Sequence, residues 1–219
     1  MTNDPSRRFL FGLAGIGLLN PATARANALR LDFEGSPVGS LPASIAPALT
    51  GTGGLPKWTV LEDRTSSAGS KVLAQTSADK TDHHFPLAIF DGPSAADVDV
   101  AVRFKPVAGE VDRAAGIAVR LADKDNYYVV RANALENNVR LYRMVKGQRI
   151  QFAGADAKVP SGVWQELRLM VRGSHFEVFL DGRNLYGAND ATMAGPGKVA
   201  LWTKADSVTY FDDLRMQTP

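Results

Sequence analysis

The chain has 219 residues, 45% of them hydrophobic, with 25 lysines and arginines against 23 aspartates and glutamates. That length suits one large domain with a proper core, and a net charge of +2 is too small to mark a nucleic-acid or anionic-membrane binder. The absence of cysteine excludes a disulfide framework and any cysteine-based zinc spacing.

The chain opens with Asp4-Pro5-Ser6-Arg7-Arg8, then an apolar run from Phe9 to Leu19. After Asn20-Pro21 comes Ala22-Thr23-Ala24-Arg25-Ala26, with two overlapping small-x-small cleavage patterns. This is the layout of a secretory signal peptide, and the apolar run is shorter than the ~20 residues a membrane span needs. Ser6-Arg7-Arg8 followed by Phe9-Leu10 resembles the twin-arginine export signal, and Arg25 near the cleavage site fits that route. The expectation is a signal peptide over 1–26, a single domain over 27–219, and a periplasmic or secreted destination. Three of the 25 basic residues and one of the 23 acidic residues lie in 1–26, which leaves 22 of each and a formal charge of zero. The domain is expected to be a monomer that neither inserts into a membrane nor binds nucleic acid.

Helical periodicity is almost absent beyond the signal. Leu29–Phe33 alternates and reads as a first strand, whereas Glu34–Pro56, rich in glycine and proline, reads as a long loop. Trp58–Leu61, Lys71–Gln75 and Pro86–Phe90 are short strand candidates. Asp97–Lys105 sets Val98, Val100, Val102 and Phe104 on one face and Asp97, Asp99, Arg103 and Lys105 on the other. Leu167, Leu169 and Val171 give Trp164–Arg172 a core side, and Phe176, Val178 and Leu180 do so for Ser174–Leu180. Lys198–Thr203 and Ser207–Met216 close the chain. Turns are expected at Lys146-Gly147, Arg172-Gly173 and Asp181-Gly182. About twelve short strands at this spacing predict an all-β, two-sheet antiparallel jelly-roll sandwich, with the first and last strands paired.

The densest alternation lies in Ala114–Phe152, which reads as four successive strands. Ile117, Val119 and Leu121 should oppose Gly116, Ala118 and Arg120; Tyr128, Val130 and Ala132 should oppose Tyr127, Val129, Arg131 and Asn133. Val139, Leu141 and Val145 should oppose Asn138, Arg140, Tyr142 and Met144. The second face then gathers arginines, asparagines and tyrosines, as either a solvated outer face or a shallow polar binding surface. Arg120, Arg131, Asn133, Arg140 and Tyr142 are the candidate ligand-binding residues.

Trp164–Gly182, WQELRLMVRGSHFEVFLDG, resembles the tryptophan-to-Asp-Gly hairpin of laminin-G-like and concanavalin A-like jelly rolls, and Gly197–Met216 resembles their closing strands. Phe33–Pro42 and Trp58–Gln75 are similar to the opening of exported bacterial proteins of that superfamily, including the 3-keto-disaccharide hydrolase-like group; 126–143, NYYVVRANALENNVRLYR, is the most particular match. The resemblance covers nearly all of 30–216. It implies two stacked sheets, one of them concave, and an association with glycans, without identifying a reaction. The Trp-His pair common at the start of the hairpin is Trp164-Gln165 here, so no role for that histidine carries over.

Glucanases of this fold resemble one another in an E-x-D-x-E strand; here Glu110-Val111-Asp112-Arg113-Ala114 lacks the third carboxylate and falls before its strand, which excludes that type. His83 and His84 follow Asp82 in a polar loop, where one of them offers a general base or metal ligand. His175, Glu177, Glu166 and Arg168 read as cross-strand charge pairing. Asp123 and Asp125, in one turn, are the candidate calcium ligands, the only cofactor implied, although calcium needs six to eight oxygens. Three function classes stay open: a carbohydrate- or glycan-binding protein, a 3-keto-glycoside hydrolase, and a structural or adhesive envelope protein. Replacing Arg7 and Arg8 with lysine should leave unprocessed precursor in the cytoplasm on fractionation; unchanged processing would mean the general secretory route.

Overall fold

The structure, a computed structural model, describes Met1 and residues 27–219, so the signal-peptide and twin-arginine expectations lie outside the described residues. The described chain holds fifteen strands and no helix: β1 (Asn27–Leu31), β2 (Ile45–Gly51), β3 (Trp58–Glu62), β4 (Lys71–Gln75), β5 (His84–Phe90), β6 (Val98–Ala108), β7 (Ala114–Asp123), β8 (Asn126–Asn133), β9 (Asn138–Val145), β10 (Gln148–Asp156), β11 (Gln165–Arg172), β12 (His175–Leu180), β13 (Arg183–Asn189), β14 (Lys198–Trp202) and β15 (Val208–Thr218). They form two antiparallel sheets. One runs β13-β12-β11-β6-β15-β4-β3 with β1 added on β15, and the other runs β10-β9-β8-β7-β14-β5-β2. The first and last strands pair as expected, with Asn27 opposite Thr218.

The alternation sets the inter-sheet core. Val98, Val100, Val102 and Phe104 of β6, Leu167, Leu169 and Val171 of β11 and Phe176 and Val178 of β12 meet Ile117 and Val119 of β7, Tyr128 and Val130 of β8 and Val139 and Leu141 of β9. Lys146-Gly147 (φ 49° and 75°) and Asp181-Gly182 (φ 49° and 76°) make the β9–β10 and β12–β13 turns. Two successive positive φ angles are those of a type I′ turn, whose twist matches the strands it joins.

Two strands depart from expectation. Glu34–Pro56 is not loop throughout, since β2 lies within it, and β13 follows the Asp181-Gly182 turn. Both are edge strands, paired on one side only, so neither needs the apolar alternation that marks a central strand. Pro47 is tolerated within β2 because an edge strand leaves alternate backbone nitrogens unpaired.

The second face of the β10-to-β2 sheet is neither solvated nor shallow. Phe85, Leu87, Ala118, Leu121, Tyr127, Val129, Tyr142, Met144, Ala200 and Trp202 form a second buried cluster drawn from that one sheet. Only a sheet curled on itself buries such a face. In a flat sheet β2 and β8 would lie roughly 19 Å apart, at about 4.8 Å per strand. Here the Thr50 hydroxyl of β2 lies 2.9 Å from the Tyr127 hydroxyl of β8 and donates to the Lys124 carbonyl in the β7–β8 turn. Trp202 Nε1 donates to the same phenol oxygen at 3.2 Å. Arg149 of β10 closes the curl from the other edge, its guanidinium 5.1 Å from the Phe85 ring and 4.7 Å from the Tyr142 ring. Gly116 makes room within: a Cβ there would stand 3.1 Å from the Trp202 ring and 2.8 Å from the Val130 carbonyl.

Trp202→Ala should therefore cost about 3–5 kcal/mol, as much as Phe104→Ala in the inter-sheet core. Urea unfolding of both variants measures this, and a cost below about 1 kcal/mol for Trp202→Ala would mean that its face is not a core.

Candidate functional site

Strand parity holds along β8 and β9: Arg131, Asn133, Arg140 and Tyr142 project on the same side of the sheet as Tyr127 and Met144. It fails at the end of β7. Arg120 has φ 49° at a bulge after Val119, and the extra residue exchanges the faces. Leu121 joins the second cluster, while Arg120 turns toward the inter-sheet side. Its guanidinium lies over Tyr128 and Phe176, and it donates to the carbonyls of Ala96 (2.7 Å), Met193 (2.9 Å) and Gly173 (2.5 Å). Arg120 is 3% exposed and ties three loops together, on the side of the sheet opposite Arg131.

Arg140 is half-buried and pairs with Asp156 at 2.7 Å. Arg131, Asn133 and Tyr142 converge with residues of quite different sequence origin at the mouth of the curled sheet. Asp112 lies at its centre, 1% exposed. Its Oδ1 accepts from the Asn133 amide at 2.8 Å. Its Oδ2 faces Lys204 Nζ at 3.1 Å and Arg131 Nη1 at 3.9 Å, as an ion pair rather than along a hydrogen bond. Lys204 also holds Asp82 at 2.5 Å. Arg131 Nη2 donates to Glu136 Oε2 and Asn138 Oδ1, both at 2.7 Å. The Tyr142 ring carries two guanidiniums, Arg131 at 5.6 Å and Arg149 at 4.7 Å. Asp82 and Glu136 reach solvent, with side chains 80% and 51% exposed, and mark the opening.

Local backbone chemistry positions these groups. Asp206 lies in the short link between β14 and β15, and its carboxylate accepts from the N–H groups of Glu110, Val111 and Asp112 at 2.7–3.2 Å. That cradle fixes the loop bearing Asp112. Gly109 begins the loop at φ 136°, where a Cβ would stand 1.9 Å from the Asp112 carbonyl. Lys204 is set by its neighbour: the Ala205 N–H donates to the His84 carbonyl at 2.8 Å. The Asn133 side-chain oxygen accepts from Leu135 and Glu136 N–H, shaping the turn that presents Glu136.

The carboxyls differ in acidity. Burial pushes Asp112 up against the pull of Arg131 and Lys204, leaving it above the ordinary aspartate value. Burial also pushes Glu136 up, but its bonds to Asn138 and Arg131 outweigh this and hold it below the ordinary glutamate value. Asp206 is likewise lowered, its backbone donors outweighing burial. Two carboxyls on one guanidinium thus have environments that part their titrations.

The other candidates lie apart. His84 belongs to β5, not to a solvated loop. It is buried, its ring nitrogens facing the Gly54 carbonyl at 2.8 Å and the Ala205 carbonyl at 3.4 Å. His83 is exposed and sets its ring edge on Phe85. Glu110 pairs at the surface with Lys80 at 2.6 Å, away from Asp112 in role. Asp123 accepts from Asp125 N–H and the Asn126 amide, and Lys124 Nζ holds Asp125 at 2.7 Å, so the turn uses these oxygens itself. No group of three or more potential metal ligands occurs among the described residues. On the outer face of the other sheet, a cleft lined by Asp99, Glu166, Arg168 and Arg215 has its charges paired: Arg168 grips Asp99 at 2.7 and 2.5 Å, and Arg215 pairs with Glu166.

No family model matches the chain, and no curated protein matches it. Solved structures do. Carbohydrate-binding module CBM66 from Bacillus subtilis is 14% identical with a TM-score of 0.63, over 80% of this chain and 98% of that one. The β-glucanase of Bacillus licheniformis is 10% identical with a TM-score of 0.57, over 88% and 98%. Domain 4 of AbnA, an extracellular arabinanase from Geobacillus stearothermophilus solved with arabinotriose, is 13% identical with a TM-score of 0.56, over 86% and 90%. The fold is a two-sheet antiparallel jelly-roll sandwich. At these identities the likeness is one of fold.

Sequence reasoning missed Asp82, Glu136, Arg149 and Lys204, and set Asp112 aside with the glucanase pattern. Nothing in their spacing joins them. One signal was legible: Tyr127, Val129 and Met144 are too apolar for a solvated face.

The raised value of Asp112 has a pH consequence. A folded value above the unfolded one gives stability that is present below the unfolded value, about 3.9, and is lost as pH rises through the folded one. Asp112→Asn keeps an acceptor for Asn133 and removes the titration. Relative to wild type it should gain stability as pH rises from about 4 to about 7, by urea unfolding; a constant difference across that range would place Asp112 at an ordinary value.

Proposed function

We propose that this chain is an exported carbohydrate-binding jelly roll whose site is the mouth of the curled sheet. The observation that carries the reading is the Tyr142 ring under two guanidiniums, beside the half-exposed Glu136 carboxylate. Sugars present dense hydroxyls around a weakly apolar ring, and planar guanidiniums, carboxylates and tyrosine are suited to that surface. The likeness to a carbohydrate-binding module and to an arabinanase domain solved with arabinotriose supports it. The site is more densely charged than the polar sheet face expected from the sequence.

Hydrolysis of a 3-keto-glycoside is the second reading. It is favoured by the parted titrations of Asp112 and Glu136, since a carboxyl raised by burial beside one lowered by its hydrogen bonds is the kind of pairing that sets an acid apart from a base.

Calorimetric titration of the full chain against a glycan panel tests binding, with a turnover assay on 3-keto-glycosides in parallel. Glu136→Ala should weaken glycan binding about ten- to hundredfold, corresponding to roughly 1.5–3 kcal/mol for a hydrogen bond to a charged group. Undiminished binding by a folded Glu136→Ala would move the site elsewhere. Turnover lost in Asp112→Asn would favour the hydrolase, and no turnover on any 3-keto-glycoside would remove it.

A further inference from the structure

We propose that the mouth selects acidic sugars, with the carboxylate of a uronic acid seated on Arg149 and Arg131. The proposal rests on the carbohydrate-binding reading above and names its ligand class. Most charges at the mouth are already paired. Asp82 and Asp112 are engaged by Lys204, and Glu136 is engaged by Arg131 and Asn138. Among the described residues, Arg149 pairs with none of these carboxylates. Its guanidinium lies over the Phe85 and Tyr142 rings with Nη1 buried and without a hydrogen-bond partner.

Arg131 is 3% exposed, and its Nε is likewise buried without a partner. Buried polar groups are nearly always paired, and each orphan needs an explanation. Two of the three orphans at the mouth are thus cationic donors on one tyrosine ring, and the third, Asp112 Oδ2, is held as an ion pair by Lys204 and Arg131. A neutral hydroxyl can accept from them, but a carboxylate accepts with its own charge and matches the planar fork of a guanidinium. The outer rim has the opposite chemistry: the exposed carboxylates of Asp82 and Glu136 accept from hydroxyls. A uronic acid offers both, one carboxylate for the inner donors and hydroxyls for the rim.

The test is calorimetric titration of the full chain with galacturonate, glucuronate and mannuronate oligomers and with their methyl esters, which keep the ring and lose the charge. At least one oligouronide should bind about tenfold or more tightly than its ester, and the difference should shrink as salt rises. Arg149→Met should abolish the difference and Arg149→Lys should retain part of it, whereas Arg168→Met, on the far sheet, should leave it unchanged. Circular dichroism establishes that each variant is folded. If Arg149→Met fails to fold, the salt dependence and the ester comparison in the wild type decide. Esters binding as tightly as acids would overturn the proposal while leaving carbohydrate binding intact. No binding of acidic or neutral oligosaccharides would overturn both.

Discussion

A buried phenol must find hydrogen-bond partners, and in this fold the partners of Tyr127 come from strands of its own sheet that lie beyond its neighbour β7. Its hydroxyl meets Thr50 of β2 and Trp202 of β14, and desolvation keeps it protonated well beyond the usual tyrosine range. The right-handed twist of any sheet brings its diagonal corners toward each other; this triad sets how far. Once the curl is closed, Phe85, Leu87, Val129 and Met144 are shut away from water and contribute as core residues do. Without it the same side chains would form an exposed apolar patch.

The charge cluster at the mouth follows from that closure. The curl's interior is filled by aromatic and aliphatic groups, so Arg131 from β8 meets the charged residues of the links between strands, Asp82, Asp112, Glu136 and Lys204, where it opens. There Asp206, held by three backbone N–H groups, determines where Asp112 stands, although it touches none of the cluster's cations. Arg131 then joins two carboxylates that differ in burial and in the hydrogen bonds they accept, and these differences rather than residue type separate their acidities. A single guanidinium between a buried acid and a half-exposed one makes the mouth asymmetric from floor to rim.

Much of the fold was legible because alternation has one physical cause. Val98 to Phe104, Leu167 to Val171 and Phe176 to Leu180 sit where period two places them, and the Lys146-Gly147 and Asp181-Gly182 turns adopt the paired positive φ angles of a tight hairpin, which their glycines make accessible. Edge strands β2 and β13 were not legible, because pairing on one side asks little of sequence. The face exchange at Arg120 was not legible either, since one residue at φ 49° reverses parity without any compositional mark. The site was legible in part. Arg131, Asn133 and Tyr142 share a face as local spacing requires, but Lys204, Asp82 and Asp112 reach them through long-range topology that no short pattern encodes.

Pro47 has an effect beyond the folded monomer. The Thr52 N–H donates to the His83 carbonyl and the Asp91 N–H to the Ser44 carbonyl, and with Pro47 opposite Ala88 this spacing turns the backbone nitrogens of residues 45, 47, 49 and 51 away from β5. The Ile45 N–H is already used by the Pro42 carbonyl, and Pro47 has none. Two of the four donors that an incoming strand would need are therefore missing from this open edge. A β-sandwich with long strands is a template for end-to-end polymerisation wherever an edge is left intact. Here the ring of one proline, in the stretch whose composition looked least structured, makes this edge of the sheet a poor seed for growth.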